Sequence, residues 1–136
     1  MKNTFLMLVL IMLACIVMGM GLPSTAAYII AATIGVTPLV NAGFSELAAN
    51  MFVFYFAIVS FITPPVALAA YAGAGIAGGN PGKTGIRAFL LGLSGFIIPF
   101  VYVYNPALLI VDTSIGATLY VSVLALFAVF LLSVAV

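Results

Sequence analysis

Apolar stretches at residues 4–18, 25–40, 46–61, 66–77, 85–104 and 115–136 alternate with short clusters rich in Gly, Pro, Asn, Ser and Thr. Each stretch suits an α-helix, and the interruptions say more than the hydropathy. A full membrane span takes about 20 residues at 1.5 Å rise, to cross ~30 Å of hydrocarbon. Residues 85–104 and 115–136 meet that length. Residues 4–18, 25–40 and 46–61 would reach only ~22–24 Å, and 66–77 about 18 Å.

The short stretches come in pairs, each joined by a helix-breaking cluster. One cluster is Gly19-Met20-Gly21-Leu22-Pro23-Ser24-Thr25, the other Ile62-Thr63-Pro64-Pro65. In hydrocarbon every backbone N–H and C=O needs a partner. Irregular backbone at that depth therefore persists only when buried in protein or lining a wet cavity. Paired breaks between half-length helices are the best sequence pointer to a binding site in a membrane protein.

The pattern predicts a re-entrant hairpin over 4–40, favoured over two ordinary spans by segment length alone. A broken helix then crosses once over 46–77, followed by transmembrane helices at 85–104 and 115–136. Ser45 is placed to cap the third stretch, with Glu46 suited to its positive dipole end. Asp112-Thr113-Ser114 offers the same chemistry before the last stretch. Lys83 and Arg87 flank one loop, which the positive-inside rule assigns to the cytoplasm; residues 1–3, 41–45 and 105–114 then face the other side, with Lys2 a minority charge there. Gly85, Ala88, Gly92, Gly95 and Pro99 make one slim face, suited to close helix packing. Residues 115–136 end on Val136 without a charged flank, as a cut end would.

Composition turns this pattern into a class. The chain has 136 residues, 67% hydrophobic and 4% charged, with mean hydropathy +1.47 and net charge +1. Soluble domains carry ~25% charged residues. Lys2, Glu46, Lys83, Arg87 and Asp112 cannot coat a water-soluble surface, so the fold class is an all-α integral membrane protein. No basic stripe exists for nucleic acid. With no His and one Cys, a His-based active site, a Cys/His zinc site and an internal disulfide are excluded. Cys15 reads as a buried apolar thiol.

Other motifs fall to the same chemistry. Lys2 and the following apolar run resemble a secretory signal, and Met12-Leu13-Ala14-Cys15 a lipoprotein cleavage box. The chain continues, however, into more membrane sequence rather than an exported polar domain. Gly92-Leu93-Ser94-Gly95 resembles the serine site of rhomboid proteases, but no His is present to take the serine's proton. Gly79-Asn80-Pro81-Gly82-Lys83-Thr84 resembles a phosphate-binding loop, but Ala77 stands where the pattern requires Gly and no strand precedes it.

The two breaks remain. Ser24 and Thr25 open one half-helix, and Thr63 is placed to N-cap another, with Pro64 at its first position. Such amino ends attract carboxylates. The half-helices ending near Gly19 and Ile62 offer free carbonyls, which suit Na⁺.

Gly19–Ile29 and Ile62–Tyr71, with Gly75–Gly78 and Phe100–Leu109, resemble the C-terminal half of the large permease subunit of tripartite ATP-independent periplasmic (TRAP) transporters. The likeness spans residues 4–112 and is greatest to the fused type served by TAXI-class binding proteins. It implies the second inverted repeat of an elevator-type, Na⁺-coupled permease in the bacterial inner membrane. A periplasmic TAXI-type protein would deliver an organic acid, a dicarboxylate or keto acid. The resemblance also implies that Gly19, Gly21, Pro23, Ile62, Thr63 and Pro64 hold one Na⁺, mainly through carbonyls. Ser24, Thr25 and Thr63 would line one side of the substrate site. The first repeat and the small-subunit region are missing from the stretch it covers, so half a site is expected here, completed by another chain segment. The alternative is a non-transporting assembly subunit, binding through the slim face, or an inactive permease fragment.

Overall fold

The computed structural model describes residues 3–110 and 113–135; Lys2 and Asp112, with the roles expected of them, lie outside the described residues. All regular structure among the described residues is helical. The helices are α1 (Thr4–Gly19), α2 (Ser24–Asn41), α3 (Glu46–Val59), α4 (Leu68–Ala77), α5 (Pro81–Leu93), α6 (Ile97–Tyr104) and α7 (Ile115–Ala135), with 3₁₀ turns at Ser60–Ile62, Ser94–Phe96 and Pro106–Leu109.

Local chemistry sets several boundaries. Ser45 accepts the Ala48 N–H and caps α3, as its position predicts. Asn80 accepts the Lys83 N–H ahead of Pro81, so α5 begins four residues before the expected 85. The phosphate-loop look-alike is this helix cap. Ser114 accepts from the Ala117 N–H at the head of α7.

Helix lengths bear on the expected spans. Helix α2 has 18 residues and is by itself long and apolar enough to cross a membrane, whereas α1, with 16, stays among the shorter apolar helices. The stretch expected over 85–104 lies within one candidate span, Pro81–Tyr104, which tightens into a 3₁₀ turn at Ser94–Phe96. Pro99 has no N–H to give the Gly95 carbonyl, which a continuous helix would need. The Tyr55 hydroxyl donates to that carbonyl instead, at 2.9 Å, across from α3.

Helices α1, α2, α3 and α6 form a densely packed body. Leu8, Leu39, Phe52, Val53 and Phe56 are fully buried there. Phe52, Phe56, Phe96 and Phe100 interlock edge to face, with centroids 4.9–6.0 Å apart. Gly35 lets α2 approach, since a Cβ there would lie 2.7 Å from Val53 Cγ2. Tyr28 donates to Asn50 Oδ1 at 2.8 Å, and Asn50 returns its NH₂ to the Glu46 carbonyl. That is polar glue between α2 and α3.

Helices α4 and α5 form a thinner arm, joined to the body through the second break and the Ser94–Phe96 turn. Phe5 meets Phe100, and Phe44 meets Tyr104, at one end of the body. From that end α1 and α3 run side by side up to Ser60, where α1 stops. The chain beyond Ser60 packs on α5 instead. The slim face serves this packing: Cβ atoms on Gly85, Gly92 and Gly95 would meet Tyr71, Ile62 and Tyr55 at 2.5–2.8 Å. Helix α7 lies against α6 and its flanking turns and buries no residue.

Candidate functional site

The two breaks, 40 residues apart in sequence, meet in space. A Cβ on Gly19 would lie 2.6 Å from Ser60 Oγ and 2.7 Å from the Ala57 carbonyl oxygen. Only a hydrogen side chain lets the end of α1 touch α3 this closely. Gly21, at φ +80°, turns the chain back, and a Cβ there would reach Val66 of the second break at 4.0 Å. Hairpin tip and broken-helix linker thus form one patch, level with the end of α3.

At the tip, α1 ends at Gly19 and α2 restarts at Ser24, after Pro23 in an extended conformation. Ser24 and Thr25 are exposed at the first positions of α2, as expected, and no side chain caps that end. The first-turn N–H groups of α2 consequently have no intrahelical partner and carry the positive end of its dipole. Among the described residues neither the Ser24 nor the Thr25 hydroxyl makes a hydrogen bond. The Gly19 carbonyl accepts only a long bond from the Leu22 N–H, 3.4 Å.

At the second break the structure corrects the expected cap. Thr63 does not cap α4: its hydroxyl donates back to the Val59 carbonyl at 2.8 Å, closing the end of α3. Pro64 is not at the first position of a helix, because α4 starts only at Leu68, after the cis Pro64–Pro65 bond and left-handed Ala67. Threonine hydroxyls readily back-bond to the i−4 carbonyl, and here the helix that offers one precedes the residue. With its proton on Val59, the Thr63 oxygen keeps lone pairs for a cation. The linker is steadied by Tyr71, whose hydroxyl donates to the Pro65 carbonyl at 2.7 Å.

Ser60 was not among the expected site residues. It is 1% exposed, donates to the Ala57 carbonyl at 2.6 Å, and forms the floor against Gly19. Its spacing of three from Thr63, on the same helix face, is the signal that points to it. Among the described residues the buried polar side chains are Ser60, Thr63 and Ser94, and all three stand at helix interruptions. Ser94 spends its proton on the Leu91 carbonyl, at 3.4 Å. No group of three His, Cys, Asp or Glu occurs among the described residues, so a cation at the patch would meet neutral oxygens.

Comparison with curated proteins and with solved structures gave no match. Comparison with protein families matched residues 1–117 to "Tripartite ATP-independent periplasmic transporter, DctM component". The match takes in both breaks, the body and the arm, and reaches the first turn of α7. Three helical segments long and apolar enough to cross a membrane agree with a membrane component. A DctM component implies two partners, a periplasmic binding protein and a small membrane subunit. The chain therefore belongs to the DctM component family of the tripartite ATP-independent periplasmic transporters.

Proposed function

We propose that this chain supplies one half of the transport site of a Na⁺-coupled permease for organic acids. The observation that carries the reading is the meeting of the two breaks at Gly19 and Ser60. That meeting sets helix-end carbonyls near an uncapped helix amino end without a formal charge, which supports a paired cation and anion site. Carbonyls of Gly19, Gly21, Pro23, Ile62 and Pro64, with the Thr63 carbonyl and hydroxyl, hold the Na⁺. The uncapped amino end of α2, with the Ser24 and Thr25 hydroxyls, takes the substrate carboxylate.

The hairpin over residues 4–40 is re-entrant in this reading. Its support is that α1 stops level with Ser60 while the chain of α3 and α4 continues beyond. The protein resides in the bacterial inner membrane, and a TAXI-type periplasmic protein hands it a dicarboxylate or keto acid. A segment equivalent to the first repeat completes the site. The assembly-subunit reading has less to stand on, because the glycine face it needs is filled by Tyr71, Ile62 and Tyr55 of the same chain.

The test uses the complete permease in proteoliposomes with its binding protein. Thr63→Ala is expected to raise the Na⁺ concentration for half-maximal uptake at least tenfold. Ser24→Ala is expected to weaken the carboxylate with less effect on Na⁺. Uptake that keeps its Na⁺ dependence in Thr63→Ala would sink the assignment.

A further inference from the structure

Helix α5 carries two cations where helix electrostatics disfavours them. Lys83 and Arg87 stand one turn apart in its amino-terminal half, where the helix end is already positive. Like charges at this spacing repel, and both side chains are exposed. Among the described residues neither makes an ion pair, and the one carboxylate there, Glu46, opens α3 beside Phe44 at the far end of the body. The pair lacks a counter-anion within the described chain.

Beside Arg87, helices α5 and α7 leave a cleft of about 250 Å³, lined by Arg87, Leu90, Leu91 and Ser133. It has a guanidinium and a hydroxyl, with leucines on the membrane-buried side of Arg87. Leu91, which lines this cleft, is 80% exposed. We propose that this cleft binds an anionic phospholipid. The phosphate sits on Arg87 with Lys83 beside it, and an acyl chain lies along Leu90 and Leu91. A guanidinium fork matches phosphate oxygens in two parallel bonds, and basic pockets between membrane helices select anionic headgroups. Charge decides the occupant: an apolar helix of another subunit would cover the leucines and leave both cations unmatched.

The probe is phosphatidylglycerol, at a minor fraction in phosphatidylcholine nanodiscs holding the protein. Lipids retained on release are counted by native mass spectrometry. Wild type is expected to enrich phosphatidylglycerol at least tenfold over its share of the disc. Arg87→Ala should return the ratio to that of the bilayer, Arg87→Lys should fall between, and Leu91→Trp, which fills the cleft, should cut retention of either lipid. Both positions are exposed, so the thermal midpoint of each variant is expected to stay at the wild-type value, which excludes misfolding as the cause. Retention of the two lipids in bilayer proportion overturns the proposal, as does enrichment that survives Arg87→Ala with Lys83→Ala. A thermal shift from inorganic phosphate as large as that from phosphatidylglycerol also overturns it, since the leucine-lined cleft would then have no part. The readout is independent of transport, so its failure leaves the Na⁺ site standing and the reverse.

Discussion

In the body, Leu8, Leu39, Phe52, Val53 and Phe56 are completely enclosed; in the arm, the enclosed side chains are Ala67, Ala70 and Ala74, packed beside Gly85. The arm's large apolar residues point the other way, with Ile76 91% exposed. Helix α4 of the arm is as apolar as α3 of the body, so hydrophobicity alone does not explain the difference. Lipid tails are as apolar as leucine, and a membrane helix gains little by hiding one. What holds the body is interlocking shape, with rings edge to face and glycines at backbone contacts. What holds the arm is a few small-residue contacts and the Tyr71 hydroxyl on the Pro65 carbonyl, while Tyr55 ties the turn at Gly95 back to the body. The close approach of Gly19 to Ser60 and to the Ala57 backbone lies on the border between the two.

Substitutions on either side of that border should separate the two kinds of packing, measured as thermal or denaturant unfolding in detergent. The largest effect is expected from Phe56→Ala, which removes the ring shared by four aromatic contacts. Its loss should be about 3 kcal/mol, the low end of the range for such cavities, because lipid supplies no transfer term. A loss below about 1 kcal/mol, the scale of a volume-conserving swap, would show that the body is no better packed than the arm.

Gly19→Ala comes next, at about 2 kcal/mol, since the new methyl meets the Ala57 backbone carbonyl, which cannot step aside. Tyr102→Phe should act in the opposite direction. The Tyr102 hydroxyl is buried in the body without a hydrogen-bond partner among the described residues, so deleting it should stabilise by about 1 kcal/mol. The smallest effect belongs to Gly92→Ala on the arm. The obstacle there is only the flexible tip of Ile62, 2.5 Å away, and the gain in helix propensity offsets it to within about 0.5 kcal/mol. If Gly92→Ala cost as much as Gly19→Ala, the distinction between body and arm would fail.

The helices were legible in the sequence because apolar runs between Gly/Pro clusters leave few other solutions in lipid. The errors lie where hydropathy is silent. Helix α5 extends back to Pro81 through polar residues that hydropathy passes over, although Asn80-Pro81 is a readable start signal. The interruption at Ser94–Phe96 was also written locally, in a proline four residues after Gly95, but the tyrosine that satisfies the carbonyl comes from α3. At the second break, sequence pairs Thr63 with the helix after it; the structure pairs it with the helix before, a choice set by where the linker ends. Both breaks were readable, but their meeting through Gly19 and Ser60 was not, because a close approach depends on how α1 is laid against α3.

The bond from Tyr55 to Gly95 bears on how such a machine moves. Sliding α3 past α6 would leave a carbonyl stranded in hydrocarbon, at a cost of several kcal/mol. Helices α3 and α6, with the aromatic cluster between them, are therefore expected to shift as a single piece in any rearrangement of the helices.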